Sequence, residues 1–228
     1  MPVWFEVGWA VATAKNGLSA VELQSDYGLG SYETAWTMLH RYRRAMVFAE
    51  RSKLAGYVEA DEAYYGGRRA GKKGRSPGKT IVAIACEVHS SRSWGRIRLQ
   101  AVPDASAKSL HFFLHDTVEL GATVMTDHWS GYRGLHGFDH QPVSITNSPD
   151  PAHVVMPAVH HVASLLKRWL LGTHQGRVEP RQLQAYLDEF AFRFNRRRAT
   201  KPGLLFHRLI EGSVAHDPVT YQTVAAGI

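Results

Sequence analysis

Three strand-like segments follow one another in the middle of this chain, and they constrain its fold most. Residues 57–65 alternate in polarity and end in Gly66-Gly67, as expected for a strand and a turn. Residues 81–88 form a continuous apolar run with one acid, which is typical of a strand covered on both faces. Residues 94–102 alternate again. The pattern therefore predicts three strands in succession.

Helical patterns then surround a fourth strand. Residues 106–120 place apolar side chains on one helical face, and residues 123–126 form a short apolar strand that ends at Asp127. A further strand is expected around residues 143–145, and a helix from Pro157 to about residue 171. This order predicts an α/β (α+β) fold, in which a mixed sheet is flanked by helices.

The N-terminal part, residues 1–55, predicts a small helical region. A capping box at Ser19 and Glu22 begins a short helix, and a glycine-containing turn leads to a longer helix that begins at Ser31. Three arginines lie off the apolar stripe of that second helix: Arg41, Arg43 and Arg44. Helix, turn and basic helix favour a helix-turn-helix DNA-binding region. The alternative is a small helical cap on the sheet.

Composition narrows the function classes. The 27 Lys and Arg exceed the 20 acids, which gives a net charge of +7 and suits a polyanionic partner such as DNA. Cys86 is the only cysteine, which excludes an internal disulfide and a multi-cysteine zinc ribbon within this sequence. No apolar run reaches the roughly 20 residues that span a bilayer, and the first residues do not form a signal peptide pattern. The expected location is the cytoplasm.

Two carboxylates lie on predicted strands and are candidate metal ligands. Asp61 lies within the first strand and Asp127 at the tip of the fourth. Ligand sites of open α/β sheets collect at strand ends, where two carboxylates can hold divalent ions that bridge phosphodiester oxygens. We expect their oxygens roughly 4 to 6 Å apart around a shared ion. The alternatives are that Asp127 caps a turn and that Asp61 and Glu62 pair with the basic loop that follows.

Four motifs in order resemble one family. The runs are VEADEAYYGGRR, TDHWSGY, SLLKRWLLGTHQG and YLDEFAFRFNRRR, and they resemble the ISXO-like insertion-sequence transposases. The resemblance implies an RNase-H-like catalytic domain over residues 56–200, followed by a C-terminal tail, residues 201–228. It also implies a DDE-type site that cuts and rejoins DNA with two divalent ions, Mg²⁺ or Mn²⁺. In this sequence the first Asp is Asp61 and the second is Asp127. Many relatives begin with a cysteine-rich zinc ribbon, which we do not expect here.

The third acid of the DDE pattern is missing. No acid occurs between Asp150 and Glu179, and the helix around SLLK instead offers His160, with Lys167 seven residues later on the same face. The family contains variants with Asn or His at this point, so the resemblance makes His160 the candidate third metal ligand. Because Lys167 shares its helix face, we expect Lys167 to reach a phosphate at the catalytic site. His161 is the neighbouring candidate, and a structural histidine is the alternative. Since neutral imidazole adds no charge, such a site should favour Mn²⁺ over Mg²⁺.

Basic residues supply the expected DNA contacts. Glu189, Arg193 and Arg196 match the family's Glu-Arg-Arg signature, in which Glu189 pairs with Arg193 and Arg196 points to a phosphate. The alternative is a solvated helix face laced with salt bridges. The predicted DNA-binding residues are Arg68, Arg69, Lys72, Lys73, Arg75, Lys167, Arg193, Arg196 and Arg197.

The sequence thus predicts a transposase that cleaves DNA and transfers strands, and that acts as a homo-oligomer on transposon ends and target DNA. Two other functions remain open. One is a catalytically inactive or domesticated DNA-binding protein derived from a transposase. The other is an RNase-H-like nuclease that hydrolyses without joining.

Overall fold

The computed structural model describes residues 2–48, 51–66, 79–90, 93–145, 147–176 and 178–227. Five predicted DNA contacts in the basic loop lie outside these residues: Arg68, Arg69, Lys72, Lys73 and Arg75. The chain forms two compact units: residues 52–168 make one, and residues 1–51 together with 169–228 make the other. Within the described residues, no helix is long and apolar enough to cross a membrane.

The first unit is built on a mixed sheet of five strands. The strands are β1 (Tyr57–Tyr65), β2 (Thr80–Ser90), β3 (Ser93–Val102), β4 (Thr123–Asp127) and β5 (Asp139–Val143). Their order is β3-β2-β1-β4-β5, in which β2 is antiparallel to both β1 and β3, and β4 is parallel to both β1 and β5. The predicted mixed sheet is confirmed. The fifth strand begins earlier than the predicted segment, because its pairing with β4 starts at Asp139.

Helix α4 (Ala107–Thr117) packs on one face of this sheet. Its Leu110, Phe113 and Leu114 belong to the same buried cluster as Val58 and Ala60 of β1. Because successive strand residues point to opposite faces, Glu59 and Asp61 face away from α4. A short helix, α5 (Ala152–Val155), precedes the long helix α6 (Pro157–Gly172), and α6 begins against this second face.

The second unit is helical and draws on both ends of the chain. Its further helices are α1 (Pro2–Thr13), α2 (Ala20–Asp26), α3 (Tyr32–Ala45), α7 (Leu183–Asn195), α8 (Pro202–Ala215) and α9 (Tyr221–Ala226). The capping box of Ser19 and Glu22 is confirmed: Ser19 Oγ accepts the Glu22 amide at 3.1 Å, and the Glu22 carboxylate accepts the Ser19 amide at 2.9 Å. Ser31 caps α3 in the predicted place.

Helices α8 and α9 pack within this unit, whereas the sequence predicted a C-terminal tail at residues 201–228. Leu209 of α8 and Val224 of α9 are buried, and the side-chain Nε2 of Gln182 donates to the Val224 carbonyl at 3.0 Å. Gly212 of α8 lies so close to the Ala45 carbonyl that a Cβ would clash with it. Burial of α8 and α9 is thus the physical reason for the difference.

Helix α3 is also more buried than a DNA-recognition helix with a free basic face. Arg43 is buried and its Nε donates to the Glu189 carboxylate at 2.7 Å, while Arg41 donates to the Val219 carbonyl at 3.0 Å. The exposed part of α3 is its first turn, which includes the acidic Glu33. Arg41 and Arg43 therefore stabilise the helical unit, and DNA binding by residues 1–55 stays a prediction.

Candidate active site

Strand pairing brings the two predicted carboxylates together. In the parallel pair, Val58 lies opposite Val124 and Glu59 opposite Met125. Continuing this register by two residues places Asp61 beside Asp127, at the end where β4 stops. The sequence could predict this, because it requires only two neighbouring parallel strands that each carry an acid at the same height.

A third acid joins them that the sequence analysis did not propose as a ligand. Asp61, Glu62 and Asp127 each offer a carboxylate oxygen, and these three oxygens lie within 4.8 Å of one another. The available signal was the position of Glu62 directly after Asp61, but strand alternation assigns neighbours to opposite faces and argued against it. At the rim of the sheet the longer Glu side chain still reaches the same site.

Backbone and side-chain donors fix this acidic group. The Glu62 amide donates to Asp61 Oδ1 at 2.8 Å, and the Trp129 amide donates to Asp127 Oδ1 at 2.9 Å. The buried Tyr132 hydroxyl donates to Glu62 Oε2 at 3.2 Å. Each of the three carboxylates is therefore held by at least one hydrogen bond and still presents an oxygen to the shared space.

The electrostatics of the group favour a cation. Burial raises the pKa of Asp61 to about 8, and the neighbouring carboxylates of Glu62 and Asp127 add to the rise. The charged form is unfavourable because three acids converge in a partly desolvated place. A divalent cation would relieve that repulsion, so the strongly raised pKa of Asp61 marks a candidate functional site.

His160 stands next to the acids on α6. Its Nε2 lies 4.0 Å from Asp61 Oδ2, and this nitrogen is buried without a hydrogen-bond partner among the described residues. Burial lowers the pKa of His160, His153 lowers it further, and Asp127 opposes the shift, so the imidazole is neutral near pH 7. His160 is not one of the three groups that all lie within 4.8 Å.

The two other residues of α6 that the sequence singled out, His161 and Lys167, lie away from the acids. His161 is exposed and its ring lies 4.4 Å from the Trp94 ring, so it points along another direction. Lys167 is exposed two turns further along α6. The structure thus brings His160 to the carboxylates and leaves Lys167 at the surface.

The Glu-Arg-Arg signature lies in the helical unit, where two of its members are largely structural. Glu189 is buried and accepts from both Arg193 and Arg43 at 2.7 Å. Arg193 also donates to the carbonyls of Ala14 and Val11. The predicted Glu189–Arg193 pair is present, and the guanidinium of Arg193 is occupied by partners within the chain, which argues against a DNA contact at this residue.

The other two predicted arginines directly follow α7 and stack on aromatic rings of that helix. The guanidinium of Arg196 lies 4.1 Å from the centre of the Phe192 ring, and that of Arg197 lies 4.1 Å from the centre of the Phe194 ring. Arg196 is half-buried and burial lowers its pKa, whereas Arg197 is exposed. Of these arginines, Arg197 is therefore the better placed for a phosphate.

The donor set fits a divalent metal ion. Carboxylate oxygens suit Mg²⁺ and Mn²⁺. The buried His160 Nε2, for which the described residues offer no hydrogen-bond partner, suits Mn²⁺ and other borderline ions. Ligand atoms around one such ion lie roughly 3 to 4 Å apart, given metal–ligand distances of about 2.1 Å. The 4.0 Å separation of His160 Nε2 and Asp61 Oδ2 is within that range.

The order of the sheet and its flanking helices define an RNase-H-like fold that carries an acidic group across its central parallel strands. The family model of the ISXO2-like transposase domain matches residues 53–195, more than half of the chain, and the protein belongs to this family. A search of curated proteins gives no match. Among solved structures, the catalytic core domain of BIV integrase is similar over 71% of this chain and 99% of its own, with 16% identity and a TM-score of 0.42.

Proposed function

We propose that this protein is an active transposase, which cleaves DNA at the ends of an insertion sequence and joins the freed ends to a target. The observation that carries the proposal is the acidic group: Asp61, Glu62 and Asp127 converge within 4.8 Å, and the pKa of Asp61 is raised to about 8. Membership of the transposase family supports the same chemistry. The expected reaction is in-line phosphoryl transfer without a covalent enzyme intermediate.

Asp61, Asp127 and His160 would hold the metal. When bound, two divalent ions activate the attacking oxygen and stabilise the leaving oxygen. The chain itself orients these ligands: the Trp129 amide holds Asp127, and the Glu62 amide holds Asp61. Since His160 adds no charge, we expect Mn²⁺ to support the reaction better than Mg²⁺.

DNA is the proposed partner, and joining two ends would require at least a dimer on it. Lys167 lies two turns along α6 from His160 and is exposed, so it would meet a phosphate on the path that leads to the acids. Arg197 and the basic loop from Arg68 to Lys79 would add sequence-independent contacts. Residues 56–200 would serve as the catalytic domain and residues 1–55 as a DNA-binding region.

Strand transfer with labelled oligonucleotides tests the proposal. The parent protein in Mn²⁺ should cut the oligonucleotide that carries the element's end and join it to target DNA, and Asp61→Asn should do neither. Cutting without joining would favour a simple nuclease. DNA binding without cutting in either metal would favour the inactive or domesticated protein and would overturn the proposal.

A further inference from the structure

Helix α6 begins in an unusual setting for a helix, because its first turn is buried and has no local cap. Met156, Ala158 and Val159 are each no more than 1% exposed. Water therefore does not satisfy the amides there, and Met156 and Pro157 carry no polar side chain that could cap them. A buried helix start must find partners for its first N–H groups elsewhere in the chain.

Glu59 of β1 supplies those partners from about 100 residues away. Its Oε2 accepts the Ala158 amide at 2.8 Å and the Val159 amide at 3.1 Å. Pro157 has no N–H, and the His160 amide already bonds to the Met156 carbonyl at 3.5 Å. Every donor of the first turn is thus accounted for, and one buried carboxylate accepts two of them.

Strand β1 contacts α6 at three points, which follow one another in the same order along both elements. Glu59 binds the amides of Ala158 and Val159, Asp61 lies 4.0 Å from His160, and the Tyr65 hydroxyl donates to the Ala163 carbonyl at 3.2 Å. Glu59, Asp61 and Tyr65 have the same parity along β1 and therefore share one face. The Asp61–His160 pair is consequently held between a hydrogen-bonded contact before it and another after it.

We infer that Glu59 is a positioning residue, which fixes His160 beside Asp61 by anchoring the start of α6 on β1, with Tyr65 as a second anchor. The inference rests on the proposed metal site. Its physical basis is that both residues of the pair are close in sequence to the anchor. His160 directly follows the anchored Val159, and Asp61 is two residues from Glu59. A carboxylate at 3% exposure is costly to bury, and its two amide bonds and the positive helix start offset that cost.

Mn²⁺ affinity in the absence of DNA tests the inference, measured by the electron paramagnetic resonance signal of the free ion. Outer partners of metal ligands typically change affinity by about 10- to 100-fold when removed, so we expect a loss in that range for Glu59→Leu. Glu59→Gln keeps an oxygen that accepts both amides and should retain affinity close to that of the parent. Tyr65→Phe removes one hydrogen bond and should lower affinity by a smaller factor.

A double variant separates positioning from general stability. If Glu59 acts through His160, then Glu59→Leu should cause no further loss of Mn²⁺ affinity in the His160→Ala background. The matched control is Glu87→Gln, which alters another buried carboxylate of the sheet, bonded to Arg96 and the Ala55 amide. It should lower the melting temperature and leave Mn²⁺ affinity unchanged.

Three outcomes are decisive. A Glu59→Leu protein that binds Mn²⁺ like the parent overturns the inference and leaves the metal site intact. If Glu59→Leu fails to fold, the comparison of Tyr65→Phe with Glu87→Gln decides, and equal Mn²⁺ affinities for the two overturn the inference. A parent protein that binds no Mn²⁺ overturns the metal site and the inference together.

Discussion

Two buried carboxylates, one in each compact unit, have opposite electrostatic environments. Burial raises the pKa of Asp61 to about 8, and the acids around it add to the rise. Burial would also raise the pKa of Glu189, but the guanidiniums of Arg43 and Arg193 outweigh it and hold that pKa at about 2. Neighbouring charges, and not burial alone, therefore decide the charge state of each group.

The difference separates a structural ion network from a candidate active site. The charge of Glu189 is balanced by two arginines of the same chain, so the helical unit is complete in itself. Around Asp61 the carboxylates of Glu62 and Asp127 raise its pKa, and a cation from solution would offset their repulsion. This contrast predicts that substitutions at the two places change different measurable properties.

The largest expected effect is on catalysis. Asp127→Asn should lower DNA cleavage by about 10³-fold or more, because the loss of a metal ligand removes several kcal/mol of transition-state stabilisation. Stability should hold or rise, since a charge that repels Asp61 is gone. Cleavage of labelled oligonucleotides and urea unfolding check the two parts. A folded variant that cuts at the parent rate would contradict the assignment.

Glu189→Gln should do the reverse and lower stability. Removing one partner of a buried ion network leaves Arg43 and Arg193 uncompensated, which costs about 3 to 5 kcal/mol of unfolding free energy. The control is Glu179→Gln, whose pair with Arg181 is more than half exposed and should contribute less than about 1 kcal/mol. Equal losses in urea unfolding for the two variants would refute the contrast.

The third ligand can be identified by comparing substitutions at His160, His161 and Glu62. His160→Ala should lower cleavage in Mn²⁺ by about 10- to 100-fold, whereas His161→Ala, the matched control, should have little effect. His160→Glu should shift the preference toward Mg²⁺, because it restores a negative charge. If Glu62→Gln abolishes cleavage while His160→Ala does not, Glu62 is the third ligand.

The pH dependence of stability should differ in sign between the two units. The pKa of Asp61 rises from 3.8 to about 8 on folding, so the folded state keeps a proton that the unfolded state loses between these values. The metal-free protein should therefore lose stability as pH rises across that window. The contribution of Glu189 is instead lost as pH falls from 4.5 toward 2. Urea unfolding of the parent and of Asp61→Asn checks the first effect, and Asp61→Asn should flatten it.

The smallest effect concerns DNA contacts. In the Asp127→Asn background, Lys167→Ala should weaken binding to all sequences and reduce the slope of log affinity against log salt by about one unit. Arg181→Ala is the control, because Arg181 is exposed and already pairs with Glu179. Fluorescence anisotropy at several salt concentrations measures both slopes. An unchanged slope for Lys167→Ala would place this lysine outside the DNA path.

Local patterns were enough to predict much of the sheet and its acids. The bounds of β1 and the end of β4 at Asp127 follow from alternation and apolar runs, which are local properties of the sequence. The capping box of α2 is local as well. The proximity of Asp61 and Asp127 required only the additional assumption that the two strands are neighbours.

Long-range partners explain what the sequence could not predict. Arg43 contributed to the basic character of the second helix, which favoured a DNA-binding region, but its partner Glu189 is 146 residues away. The anchor of α6 at Glu59 lies 99 and 100 residues from the amides it binds. Residues 201–228 have a packed role for the same reason, since their contacts are with helices elsewhere in the chain.

The helical unit is assembled from two segments that are far apart in the sequence, and this has a consequence for folding during translation. Arg43 leaves the ribosome early, and Glu189 follows 146 residues later. At roughly 5 to 20 residues per second, about 7 to 30 seconds separate the two. During that interval the sheet unit, residues 52–168, is made without interruption and can fold while α1–α3 wait for their partners. A nascent chain that stops before α7 would lack Glu189, leave Arg43 without its carboxylate and expose apolar faces of α1–α3, so it would be open to proteolysis.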